Sequence, residues 1–195
     1  MNYKIEHKPE DIFIKQLFNE SDEIKEIMLC LHGFLGDKES GAIAFIADSL
    51  LKKGTGCFAI DFPCHGESSS DRLRVKDCME YVSVTVKHLK EKFPNVPINL
   101  FATSFGAYIV LLYLNNNEEV FNKIILRAPA VNMKSGFNLI SKDLNVNMDD
   151  FNNYKTIEIG FNEKIKLDKY FYDDIIAYDL FLIPLHIKEE VNIIY

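Results

Sequence analysis

The feature that most limits the fold of this chain is a repeated pairing of two patterns. Short apolar runs at residues 26–31 (EIMLCL), 57–62 (CFAIDF), 98–103 (INLFAT) and 123–128 (KIILRA) alternate with stretches of helical periodicity. Apolar runs of this length without polar alternation belong to strands covered on both faces. The intervening stretches supply the covers. Residues 40–53 carry Ile43, Ile46 and Leu50 beside Ala42 and Phe45, and Gly54 ends them. Residues 74–92 place Val75, Cys78, Val82, Val86 and Leu89 three or four apart, and Pro94 stops the pattern. Residues 105–115 read as a shorter apolar helix. Strands joined through helices of this length run parallel, so the expectation is an α/β, doubly wound, mostly parallel sheet. Ahead of it, residues 2–7 and 11–18 predict an antiparallel hairpin that turns at Pro9-Glu10.

The pattern changes after Pro129. Residues 131–175 are rich in Asn, Asp and Lys with interleaved Phe and Tyr, and no long periodic helix is expected there. KTIEIG and KIKLDKYF, on either side of Phe161-Asn162-Glu163, predict a small hairpin. Residues 174–188 read as helical as far as Pro184, and the final VNIIY as a strand. The expected organisation is a core over 1–130, a lid or cap insertion over 131–175, and a return to the core over 176–195. A connection this long is either a lid over a site or a disordered stretch, and its aromatic content favours a lid.

Composition excludes other classes. With Lys+Arg 22 against Asp+Glu 29 the net charge is −7, which leaves no electrostatic footprint for nucleic acid. No apolar run reaches the length of a membrane span, and the charged start MNYKIEHKPED has no secretory h-region, so a cytoplasmic location is expected. The four cysteines, Cys30, Cys57, Cys64 and Cys78, have neither disulfide-scaffold nor zinc spacing. Neither a metal nor a cofactor is expected.

The chemistry concentrates at strand ends. In Phe101-Ala102-Thr103-Ser104-Phe105-Gly106-Ala107 a buried strand turns at once into a helix, with a serine at the junction and small residues around it. Such a turn strains the serine's backbone and lifts its side chain clear of the sheet. The helix start also offers unpaired N–H groups to a developing oxyanion. An ordinary capping serine satisfies the same local pattern. Two further segments follow neighbouring strands: Leu31-His32-Gly33-Phe34-Leu35-Gly36 and Asp61-Phe62-Pro63-Cys64-His65-Gly66-Glu67-Ser68. All three lie at carboxyl ends of strands, where open α/β sheets place ligands.

Order and spacing across residues 26–130 resemble the α/β-hydrolase family, and within it the serine esterase branch of cinnamoyl/feruloyl esterases and monoacylglycerol-lipase-like proteins. The three segments stand where that family has its H-G-x-x-G loop, its D-x-x-G-H-G-x-S-like loop and its G-x-S-x-G elbow. The resemblance implies Ser104 as nucleophile and the backbone N–H groups of Phe34 and Phe105 as oxyanion hole. It further implies His32, Gly33 and Gly106 as loop support, and a small-molecule ester or thioester as substrate. Two departures stand out: Ala102 replaces the first elbow glycine, and Pro63-Cys64 replaces small residues of the second loop.

In that family the acid and the histidine follow the nucleophile in chain order, after later strands. PLHIKEEVNIIY corresponds to the approach to the acid-bearing strand, so the expectation is a chain truncated before the acid and the base, with the last strand and helix missing. Of the histidines, His7 and His88 are remote from the site and His186 stands at the wrong end of its strand. Only His32 and His65 reach the active side, where loop anchoring is their usual part. Asp61 and Glu67 read as loop-ordering groups. Three readings follow: a serine hydrolase, impaired in this chain; a non-catalytic fragment or pseudo-enzyme that binds an apolar ligand or a partner; and acyl transfer through the same serine to an acceptor other than water, which the motif does not separate from hydrolysis. An exposed apolar sheet edge at VNIIY makes homo-oligomerisation a further expectation.

Overall fold

The computed structural model describes residues 1–117, 120–146, 149, 156–160 and 164–195. Its main sheet has seven strands in the order β1-β2-β4-β3-β5-β6-β9. The hairpin β1 (Asn2–Ile5) and β2 (Ile12–Gln16) is antiparallel, and β2 joins β4 (Thr55–Ile60) antiparallel. From there on every pairing is parallel: β4 with β3 (Glu26–Leu31), β3 with β5 (Ile98–Thr103), β5 with β6 (Ile124–Arg127), and β6 with β9 (Val191–Ile194).

The uninterrupted apolar runs are explained by what each face meets. In β3, Ile27, Leu29 and Leu31 point into the larger core, whereas Met28 and Cys30 point into a smaller one. β4 divides likewise, with Phe58 and Ile60 on one side and Cys57 and Ala59 on the other. Helix α1 (Gly41–Leu51) covers the smaller face through Ile43 and Ala47. Helices α2 (Val75–Lys92) and α3 (Phe105–Leu114) cover the larger, α3 being buried along nearly its whole length.

Several boundaries differ from the sequence reading. β4 runs from Thr55 to Ile60 and not over 57–62, which leaves Asp61 and Phe62 buried in the loop beyond it. Residues 133–143 form a helix, α4 (Met133–Asp143), where no long periodic helix was expected. Its apolar stripe of Met133, Phe137 and Ile140 is spaced for a helix but diluted by Gly136, Asn138 and Ser141, residues of modest helix propensity. The cap is explicit, since the Asn132 side chain accepts the Ser135 N–H at 3.0 Å. The small hairpin is present as β7 (Ile157–Ile159) and β8 (Ile165–Leu167), but Lys169 to Phe171 belong to a helix, not to a strand. That helix, α5 (Lys169–Ala177), starts where Asp168 caps the Phe171 N–H at 3.2 Å and ends well before Pro184. The expected hairpin tip at Phe161-Asn162-Glu163 and the aromatic residues Phe151 and Tyr154 lie outside the described residues.

Among the described residues no helix is long and apolar enough to cross a membrane, and no three His, Cys, Asp or Glu side chains are grouped to hold a metal ion. β9 lies at one end of the sheet order, with Ile193 and Ile194 about half exposed.

Candidate active site

Ser104 stands between β5 and α3 with φ 50° and ψ −109°, a left-handed conformation that a residue with a Cβ adopts only where its surroundings enforce it. Those surroundings are identifiable. The Ser104 N–H donates to the Arg127 carbonyl at 3.0 Å, which ties it to β6. Its carbonyl accepts from Tyr108 N–H at 3.1 Å, closing the first turn of α3, and from Ala130 N–H at 3.2 Å. Gly106 lets the helix start this close to the sheet. A Cβ there would lie 2.6 Å from the His32 carbonyl oxygen and 3.0 Å from that of Leu31. Ala102, where the family has glycine, is fully buried in the larger core. The Ser104 side chain is half-buried, and no described group hydrogen-bonds its hydroxyl.

The loop after β3 comes directly alongside. At Gly33 an added Cβ would be 3.3 Å from Ser104 Cβ and 3.9 Å from Ser104 Oγ. The Gly33 carbonyl is held twice, accepting from His32 Nδ1–H at 2.8 Å and from Gly36 N–H at 3.0 Å. In a trans peptide the carbonyl and the following N–H point in opposite directions. Fixing the Gly33 carbonyl therefore turns the Phe34 N–H away from the His32 ring. Among the described residues no acceptor takes the N–H of Phe34 or of Phe105.

Both histidines on this side have their nitrogens occupied. His32 Nε2 accepts the Phe62 N–H at 3.1 Å, and His65 donates from Nδ1 to the Pro63 carbonyl at 2.8 Å while Nε2 accepts the Leu35 N–H at 3.3 Å. The rings lie 5.0 Å apart and are almost fully buried. Burial disfavours the imidazolium, lowering His32 to about 4 and His65 to about 3. Each is thus a neutral ring in one tautomer, pinning the 32–36 loop to the 61–65 loop.

Beneath these loops is a buried ion pair that the sequence reading missed. The Asp61 carboxylate accepts the Lys38 N–H at 2.8 Å, the Lys38 ammonium at 2.7 Å and the Glu67 N–H at 3.0 Å. Burial opposes the Lys38 charge, but hydrogen bonds and charges from Asp61 and Glu67 outweigh it and raise its pKa. Lys38 and Asp61 are 23 positions apart, and Lys38 sits in a polar turn with no pattern of its own. Only its place three residues before the α1 start hinted that it ends the loop.

Aromatic rings close over the loop. Phe34 stacks on Phe171 of α5 at 5.8 Å and 8° between planes, and meets Phe105 at 5.8 Å and Phe137 of α4 at 6.4 Å. α5 is anchored to the core through its C-terminal half. Asp174 accepts the Val75 N–H that opens α2 at 3.1 Å, and Tyr108 Oη donates to the Tyr178 carbonyl at 3.0 Å. A separate cleft of about 380 Å³, lined by His7, Glu10, Arg72, Asp77 and Tyr81, opens elsewhere and does not include Ser104.

Known proteins carry the same architecture. The chain is similar to a monoglyceride lipase homolog of Monkeypox virus, 31% identical over 111 residues, which are 55% of this chain and 40% of that protein. It is also similar to mouse monoglyceride lipase, 31% identical over 77 residues, 38% of this chain and 25% of the relative. The matches thus span less than half the length of these curated relatives. Among solved structures, mouse alpha/beta hydrolase domain-containing protein 10 superposes with a TM-score of 0.69 at 12% identity, covering 99% of this chain and 76% of that one. Est1E from Butyrivibrio proteoclasticus, solved with ferulic acid, gives 0.67 at 17% identity, covering 88% and 70%. At such identities these structures speak for the fold alone. Residues 22–169 match the hydrolase family described as serine aminopeptidase, S33. That match runs from the first parallel strand to the start of α5, and the chain therefore belongs to this family of α/β-hydrolases.

Proposed function

We propose that Ser104 is the nucleophile of a serine hydrolase that cleaves carboxylic esters or thioesters through an acyl-enzyme. The observation that carries this reading is the backbone of Ser104: a left-handed serine at the start of a buried helix, with its hydroxyl beside Gly33 and, next to it, two N–H groups that no described acceptor takes. Ser104 Oγ adds to the carbonyl carbon and its proton passes to water, because among the described residues no side chain is placed to take it, so turnover by this chain is impaired. The oxyanion takes the N–H groups of Phe34 and Phe105, and collapse expels the alcohol or thiol with a proton. Water, or another acceptor, then releases the acyl group. His32 and His65 are not the base, because each already accepts a backbone N–H at Nε2. The names of the lipase relatives put carboxylic esters first among substrate classes. In this reading the described residues between 131 and 175 belong to a lid, and its Phe137 and Phe171 pack on Phe34 beside the serine.

A second reading is a non-catalytic module that binds a small apolar ligand or a partner through the same loops, and it draws on one observation: the nitrogens of both histidines beside the serine are already occupied. Burst kinetics separate the two. With a p-nitrophenyl ester in excess, the hydrolase releases a burst of one p-nitrophenol per chain, absent in Ser104→Ala. Without a burst, or with one that survives the substitution, the nucleophile reading fails. Added alcohol that diverts the acyl group from water would identify acyl transfer.

A further inference from the structure

The peptide that presents the Phe34 N–H belongs to a short turn with two moorings. One is the pair of histidine rings described above. The other is four residues further on, where Lys38 binds Asp61 through both its main chain and its side chain. The two bonds use different oxygens of one carboxylate, so that carboxylate cannot rotate without losing one of them. Glu67 adds to the same knot: its N–H donates to Asp61 at 3.0 Å, and its carboxylate lies 2.5 Å from the Lys38 ammonium. Lys38 and Asp61 are 2% and 0% exposed at their side chains. Gly66, at φ +54°, leaves room for the acid, since a Cβ there would lie 2.4 Å from the Asp61 carboxyl.

A buried ion pair is weak evidence for stability, because desolvation offsets most of the attraction and an apolar pair of similar size often serves as well. Here the anion also fixes main-chain N–H groups from both loops, a task no apolar pair performs. We propose that Lys38 is a positioning residue: through Asp61 and Glu67 it holds the 33–38 turn against the 61–67 loop, so that the Phe34 N–H stays aimed at the oxyanion formed on Ser104. The proposal rests on the reading of Ser104 as nucleophile. It adds a residue that touches neither substrate nor reacting atoms but sets how well the transition state is held.

The test uses the full chain carrying Lys38→Met, with two readouts. In steady-state hydrolysis of a p-nitrophenyl ester, kcat falls about ten-fold or more while KM stays within about two-fold, because an oxyanion donor acts in the transition state and small misplacements are costly there. In amide hydrogen exchange, residues 33–38 exchange faster while β3 and β5 keep their protection. Lys38→Arg, which keeps a cation for both acids, recovers part of kcat. Unchanged kcat with unchanged exchange overturns the proposal, as does a rise in KM alone. If the wild-type chain gives no burst, the nucleophile reading has failed on its own account, and the exchange arm still decides whether Lys38 holds the turn. Should Lys38→Met not fold, Glu67→Gln removes only the half-exposed partner; a lower kcat at unchanged melting temperature supports the proposal, and an unchanged kcat contradicts it.

Discussion

Gly106 decides whether Ser104 can stand where it does. Among the atoms that a Cβ would strike there are backbone carbonyls at the carboxyl end of β3, which cannot yield as a flexible side chain would. Gly106→Ala is therefore expected to cost about 3 kcal/mol or more by urea unfolding, at the upper end of overpacking effects. Gly136, inside α4, meets nothing within 4 Å, so Gly136→Ala should instead stabilise by roughly 0.5–1 kcal/mol. Equal effects at the two positions would contradict the close helix–strand approach. The histidines predict a pH dependence of definite sign. Both are neutral when folded, with pKa values depressed by burial, whereas the unfolded chain binds their protons below about pH 6.5. Stability is thus fully present above that pH and lost as pH falls toward about 4 for His32 and about 3 for His65. Between pH 7.5 and 5.0 the loss should be roughly 2 kcal/mol for each ring; a flat profile in that window would show that the rings are not buried neutral. At this scale the sequence displayed Ser104, Gly33 and Gly106 openly. It hid Lys38, because a loop lysine in a polar turn has no periodicity and its partner is joined to it only by the fold.

Among the elements, those of the parallel core were legible because each faces apolar neighbours on both sides and leaves an unbroken run. α4 and α5 face the core on one side only, and their exposed faces carry Leu139 and Tyr170, which blurs the stripe. Their starts were nonetheless encoded by Asn132 and Asp168, each capping an N–H three residues on. The position of α5 matters to the site, since Phe171 is fully buried against Phe34, Phe105 and Phe137. Phe171→Ala should cost about 3–5 kcal/mol by chemical denaturation, the usual range for deleting a buried aromatic ring. A cost below 1 kcal/mol would mean that α5 does not pack on the Phe34 loop.

For the molecule as a whole, the topology explains why one serine gathers so much around it. β3, β4 and β5 are adjacent and parallel, so the loops that follow them emerge at the same end of the sheet. Residues 32–38, 61–67 and 104–106, far apart in sequence, meet there because of strand order alone. That convergence was foreseeable from three motifs behind three strands, whereas the order of the strands and the rings above the loop required the fold. The account rests on the proposal that Ser104 is the nucleophile, and the most direct test is intact-mass spectrometry of the full chain after a fluorophosphonate probe. The account predicts one adduct per chain, located on Ser104 and absent from Ser104→Ala. A chain that stays unmodified at probe concentrations that label other serine hydrolases, or an adduct that persists in Ser104→Ala, would contradict it.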